Sequence, residues 1–249
     1  MIEALFALLP GSIFVYRYAP GFQPAKFVGL MLMEIAPFLV VAWLERAPMV
    51  TVLLGFAVLY SIYELGYVEN DLNSEKEEVG MTHRSQFDRF NPNIFYALRI
   101  PVIGALLYVT YILCTAYSFQ IVACLVAIFC VFGMHNRLMR PRWRTATFIS
   151  LNTLKIAVRL LFIAPTAVIY VLGALPHLVI KLLHYLGAKN VIAVSEDAVR
   201  AAVLPIYLGC LPMLVFVDPK LVLFGLPYFL NHFKSQLFSS ARRLAGVRA

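Results

Sequence analysis

The sequence predicts an all-α fold, a polytopic transmembrane helical bundle, on three observations. Of its 249 residues, 61% are hydrophobic and only 14% charged, with a mean hydropathy of +0.81, far too apolar for an ordinary soluble domain. Apolar runs recur at lengths close to the roughly 20 residues that a helix needs to cross the hydrocarbon. Lys and Arg gather in alternate connections between those runs, as the positive-inside rule requires.

In chain order, residues 2–16 are apolar but short and contain Pro10 and Gly11, so an interfacial or half-inserted helix is expected over the segment 1–26. A cleaved signal peptide is the competing reading, but no basic region precedes the apolar run and Arg17 follows it. Spans are expected near 27–45, 49–67, 95–117, 119–134, 146–164, 166–185, 198–217 and 220–236, about eight (8–9) in all within one membrane domain, 1–249. Tight turns at Arg46-Ala47-Pro48, Ala116-Tyr117-Ser118, Ala164-Pro165 and Asp218-Pro219 pair them into hairpins. The longer connections, 68–94, 135–145 and 186–197, lie on the opposite side.

Those longer connections and both ends carry Arg17, Lys26, Lys76, Arg84, Arg89, Arg137, Arg140, Arg142, Arg144, Lys189 and the basic tail, against little beyond Arg46 and Lys220 elsewhere. Both termini, the loop 68–94 and the Arg-rich loop are therefore expected in the cytoplasm, with a bacterial inner membrane as the expected location. The net charge of +8 then needs no nucleic-acid partner, since topology and anionic headgroups account for it. Cys114, Cys124, Cys130 and Cys210 lie in or beside apolar runs without metal-ligand spacing and read as packing residues.

The densest charge lies at Tyr63–Glu78, which holds six of the chain's 13 acidic residues at the end of an apolar helix. A carboxylate there needs pairing, hydration or a cation. If the helix continues through this stretch, Glu64, Asp71, Glu75 and Glu78 fall at offsets 0, 7, 11 and 14 and share a face with Tyr67 and Ser74. A hard cation such as Mg2+ uses one or two carboxylates and completes its shell with water and phosphate. The simpler reading is a solvated helix end paired with Lys76 and Arg84, which leaves Glu64 inside the apolar run unexplained.

The run Asn70-Asp71-Leu72-Asn73-Ser74-Glu75-Lys76-Glu77-Glu78, with Thr82-His83-Arg84 after it, resembles the first aspartate-rich motif, Asn-Asp-x-x-Asp-x-x-x-Asp, of the UbiA superfamily of intramembrane prenyltransferases. Asn70 and Asp71 match, Ser74 replaces the second aspartate and Glu78 the third. Leu138-Met139-Arg140-Pro141-Arg142-Trp143-Arg144 is similar to the family's Leu-Lys-Arg loop. Val158-Arg159-Leu160-Leu161 looks like a segment in the decaprenyl-phosphate phosphoribosyltransferase branch. Glu196 and Asp197, with Lys189 nearby, stand where the second acidic motif belongs but do not reproduce Asp-x-x-x-Asp.

The resemblance implies a UbiA-like bundle around a cavity in which Mg2+ bridges carboxylates to the diphosphate of an isoprenoid or polyprenyl lipid, and a prenyl group passes to an acceptor. It assigns Asp71, Glu75 and Glu78 to the metal, Asn70 to orientation, and Arg84, Arg140, Arg144 and Lys189 to phosphate. Glu64, a turn or two deeper, is placed to meet the acceptor or the metal shell. A phosphoribosyl transfer onto polyprenyl phosphate is the alternative on the same fold. A non-catalytic lipid-binding or partner protein is the other, favoured by Ser74. The arginines at 137–144 have a second reading as contacts to anionic lipid.

Lys155 and Arg159 lie mid-span, one turn apart, with Asn152 on the same face. Cations at i and i+4 in a membrane repel unless an anion joins them, so a phosphate or the carboxylate of another helix is expected beside them. His83 and His135 read as loop residues, and His177, His184 and His232 as packed, hydrogen-bonded side chains.

Overall fold

The computed structural model describes residues 6–18, 24–77, 91–137 and 141–244, with the side chains of 16, 17, 25, 72–77, 141–142 and 235–244 left out of the description. These residues are helical nearly throughout: α1 Ser12–Tyr18, α2 Pro24–Glu34, α3 Ala36–Leu44, α4 Met49–Glu77, α5 Pro92–Leu113, α6 Ser118–Arg137, α7 Pro141–Ile163, a 3-10 segment Pro165–Ala174, α8 Leu175–Ala188, α9 Glu196–Val217 and α10 Lys220–Leu244. Among the described residues, seven stretches are long and apolar enough to cross a membrane: Lys26–Leu44, Met49–Asp71, Pro92–Leu113, Thr115–Arg137, Trp143–Ile163, Pro165–Ala188 and Glu196–Val217. The protein is an integral membrane protein. The eighth expected span is helical, as part of α10, but is not among the seven; Asn231, His232 and Lys234 interrupt its apolar run.

The first span is broken where the sequence requires it. Pro37 has no N–H to donate, and the Phe38 and Leu39 amides both turn to the Ile35 carbonyl, at 3.0 and 3.1 Å. Phe38 would have bonded the Glu34 carbonyl in a continuous helix, so that oxygen is released at the break between α2 and α3. The hairpin turn after α3 closes on Arg46 in the left-handed region, φ 54°.

Helices α4 and α7 form the centre. Residues Val158, Leu161 and Phe162 of α7 pack into a core with Leu59, Tyr63, Ile121 and Ile128. The other side of α7, through Ile156, Leu160 and Ile163, packs into a second core with Phe38, Tyr170 and Phe224. The aromatic and aliphatic side chains left on the outside, such as Phe119 at 81% and Phe216 at 91% exposure, suit a lipid surround whose tails are as apolar as they are.

Two places depend on glycine. A Cβ on Gly66 of α4 would come 2.5 Å from Phe132 Cγ of α6, so the ring lies directly over the helix backbone. A Cβ on Gly225 of α10 would lie 2.7 Å from the Gly173 carbonyl oxygen, which lets α10 cross the 3-10 segment backbone to backbone. That segment runs for ten residues, well beyond the three or four usual for its geometry.

Candidate functional site: two buried ion clusters beneath a polar helix junction

The released Glu34 carbonyl marks the centre of the larger cluster. Lys155 Nζ donates to Glu34 Oε1 at 2.6 Å. Arg159 Nη2 stands 3.1 Å from Glu34 Oε2, an ion pair without hydrogen-bond geometry, while Nη1 of the same guanidinium donates to the Glu34 backbone oxygen. One residue of the broken helix thus receives both cations of α7. The anion expected beside Lys155 and Arg159 is supplied by another helix of the protein.

Aromatic faces enclose the charges. The Arg159 guanidinium lies 3.8 Å over the Phe38 ring, and Lys155 Nζ stands 5.3 Å from the ring centroids of Phe14 and Tyr60 and 5.6 Å from that of Tyr63. Cation–π attraction gains weight where water is excluded, reaching about 2 kcal/mol. Lys181 of α8 extends the cluster, donating to Asn152 Oδ1 at 3.0 Å, and Asn152 in turn donates to the Phe148 carbonyl at 2.8 Å. Next to it, His177 Nδ1 and His232 Nε2 share a hydrogen bond of 2.9 Å, and the His177 ring stacks on Tyr228 at 4.3 Å.

A second cluster holds the N-terminal segment in place. Glu64 and Arg99, both wholly buried, pair at 2.7 Å. The other Glu64 oxygen accepts the Phe14 amide at 3.0 Å, so the carboxylate sits at the N-terminal end of α1, where free amides favour negative charge. Arg99 also donates to the Phe6 carbonyl. Ala7, Ile13 and Phe14 are buried as a result: the segment expected to be half-inserted lies against α4, with the Phe14 ring tilted against Tyr60 at 4.5 Å.

Above both clusters, the end of α4 meets the end of α6 and the start of α7. The helix α4 continues through Glu77, so the acidic motif up to that point is helical where a loop over 68–94 was expected. Arg144 Nη2 donates to Asn70 Oδ1 at 3.4 Å. Asn136 Nδ2 donates to the Gly66 carbonyl at 3.2 Å and to Glu69 Oε2 at 3.3 Å, and His135 Nδ1 shares a hydrogen bond of 2.8 Å with Thr147 Oγ1. Asp71 is partly exposed at this junction.

Of the expected site residues, then, the structure brings Asn70 to Arg144 and joins Lys155 to Arg159 through Glu34. It gives Glu64 a protein cation, Arg99, in place of open space. Glu196 pairs with Arg200 within its own helix, Asp197 lies beside it in the first turn of α9, and Lys189 caps the end of α8. The side chains of Glu75, Glu78, Arg84 and Arg140 lie outside the described residues. All four cysteines are free thiols. Sequence reasoning passed over Glu34, Arg99 and Lys181; each is a charged residue within an apolar run, which is itself a signal of buried pairing or function.

No protein-family model, curated protein or solved structure matches this chain.

On α7 the residues Arg144, Phe148, Asn152, Lys155 and Arg159 fall at offsets 0, 4, 8, 11 and 15, one stripe of a 3.6-residue helix. The stripe runs from the polar junction to the membrane interior. It joins a partly exposed carboxylate and a guanidinium at one end to buried cations at the other.

Proposed function

We propose that the protein is a membrane-embedded transferase of the UbiA type acting on a polyprenyl diphosphate, with its reaction centre at the junction of α4, α6 and α7. The observation that carries this reading is Arg144 beside Asn70, one residue from Asp71. A guanidinium fork suits phosphate oxygens, and the carboxylate next to it suits a hard cation. Among the described residues no group of three or more His, Cys, Asp and Glu side chains could hold a metal by itself. A Mg2+ ion requires no such group, since Asp71 with water and the oxygens of a diphosphate makes a sufficient shell. When bound there, Mg2+ would neutralise charge developing on the departing diphosphate. Arg144 would bind and orient the phosphates, Asn70 would hold Arg144 in position, and the bundle would keep the hydrocarbon chain out of water.

The expected cytoplasmic placement of this junction, with both termini on the same side, belongs to the same proposal. So does the donor. With phosphoribosyl diphosphate as donor and polyprenyl phosphate as acceptor, the same Arg144 would meet a diphosphate. A panel of labelled prenyl diphosphates set against labelled phosphoribosyl diphosphate, with products resolved in lipid extracts of membranes containing the protein, distinguishes these outcomes. Absence of labelled lipid product from every donor would overturn the transferase reading.

A second reading, a non-catalytic lipid-binding or partner protein, is favoured by the pairing of Glu34, Glu64 and Glu196 with protein cations. Glu34 and Glu64 join different segments of the chain and Glu196 pairs within α9, so each already has a protein cation. The same panel separates the readings, because a binder retains labelled donor without converting it.

A further inference from the structure

An apolar cleft that the transferase reading does not use lies beside the His177–His232 pair, one helical turn from Lys181. Between α9 and α10, Leu204, Tyr207, Leu208, Leu211, Leu226 and Phe229 line a cleft of about 160 Å3. Leu204, Leu208, Leu211 and Leu226 are also exposed on the outside of the bundle, so the cleft is open sideways to lipid. Its floor is the backbone crossing of Gly173 and Gly225. One end is polar: the Tyr207 ring lies 5.0 Å from Phe229 and 6.4 Å from His232, and His232 bonds His177 at 2.9 Å. Lys181 stands one turn beyond His177 on the same face of α8.

The charges at that end do not balance. Glu34 is the carboxylate of the cluster, and Lys155 and Arg159 both pair with it. Lys181 has the neutral amide oxygen of Asn152 as its hydrogen-bond acceptor and, among the described residues, no carboxylate within ion-pair distance. Two hydroxyls next to the His177–His232 pair, those of Tyr207 and Tyr228, are buried without a hydrogen-bond partner, and Tyr228 is only 2% exposed. Buried donors with no acceptor are costly unless a group with free oxygens completes them.

We propose that the cleft between α9 and α10 holds a hydrocarbon chain of a bilayer lipid whose phosphate group is bound at the Lys181, His232 and Tyr207 end. The apolar walls take the chain, which loses nothing by leaving other lipid tails. Selectivity comes from the headgroup, because a phosphate with exposed oxygens can meet Lys181 while a zwitterionic headgroup brings its own cation to the same place.

The test is native mass spectrometry of the full-length protein in detergent, titrated with dioleoyl phosphatidate, dioleoyl phosphatidylcholine or inorganic phosphate. The expected result is phosphatidate bound about fivefold more tightly than phosphatidylcholine, the scale of one lysine–anion contact at a membrane, with inorganic phosphate failing to compete. Lys181→Gln, which can keep the bond to Asn152, should abolish the preference, Lys181→Arg should keep it, and Leu208→Trp should weaken phosphatidate binding by filling the cleft from its lipid side. Asp71→Asn should leave the preference unchanged, which separates this proposal from the transferase reading. Equal binding of the two lipids, undiminished binding to Leu208→Trp, or full competition by inorganic phosphate would each overturn the proposal. Should Lys181→Gln fail to fold, the comparison of lipids on the unaltered protein and on Leu208→Trp still decides it.

Discussion

Replacing Glu34 by Gln removes one charge without changing the size of the side chain, and the structure sets the cost. Both carboxylate oxygens are engaged, by Lys155 at 2.6 Å and Arg159 at 3.1 Å. Removing one partner of a buried pair costs about 3–5 kcal/mol, because the remaining charge is left in a poor solvent. A lysine can release its proton when its counter-ion is lost, whereas a guanidinium stays charged. Arg159 also keeps its bond to the Glu34 backbone oxygen, which the substitution does not touch. The lower end of the range follows, about 3 kcal/mol, or about 6–12 °C in Tm by the scaling for chains of 150–250 residues. The assay is thermal unfolding of purified protein in detergent. Adding Lys155→Met to Glu34→Gln removes an uncompensated cation, so the double variant should be more stable than the sum of the two single losses by about 1 kcal/mol or more. A Glu34→Gln variant within about 0.5 kcal/mol of the parent, or strict additivity with Lys155→Met, would refute the claim that Glu34 is the counter-ion on which the α7 cations depend.

Further expectations follow from the other junctions. Glu64→Gln and Arg99→Leu each break the pair that holds the N-terminal segment and should destabilise the fold by about 3 kcal/mol; a cysteine placed at Ser12 should be labelled by a maleimide faster in both backgrounds, and unchanged labelling would contradict the clamp. Gly66→Val should push Phe132 away and separate α4 from α6, lowering both Tm and lipid product formation, while Gly133→Ala on the open side of α6, where a Cβ meets nothing within 4 Å, should leave both unchanged. Arg144→Lys keeps the charge but loses the planar fork, so it should raise the KM for the diphosphate substrate about tenfold, the worth of roughly 1.4 kcal/mol. An unaltered KM would remove Arg144 from the phosphate site.

The architecture was legible in the sequence because lipid leaves a helix few alternatives: length and apolarity alone place most spans. The turns at Arg46–Pro48 and Ala164–Pro165 were legible for the same reason. What the sequence concealed was pairing. Lys155 and Arg159 advertise a missing anion by their spacing, but the identity of Glu34 depends on how the first span breaks at Pro37 and on which neighbour the break faces. Glu64 read as a group for the acceptor or the metal shell because Arg99 lies 35 residues away, across a connection that spacing cannot bridge. The last expected span, 220–236, is helical within α10 but falls outside the seven because Asn231, His232 and Lys234 dilute its apolar run. The 3-10 form of Pro165–Ala174 has no marker beyond the proline that opens it.

At the junction of α4 and α7, the neighbourhood of Asn70 and Arg144 was expected from a motif and a basic loop taken separately, and their contact came from the fold. The central claim is that Asp71, beside that contact, supports Mg2+-dependent transfer from a diphosphate. The most direct measurement is formation of labelled lipid product by the full-length protein in membranes, with and without Mg2+, for the parent and for Asp71→Asn. Product that requires Mg2+ and falls by about a hundredfold or more in Asp71→Asn is expected, the scale of losing one stabilising group at a reaction centre. Product formed equally well by Asp71→Asn, or without the metal, would contradict it.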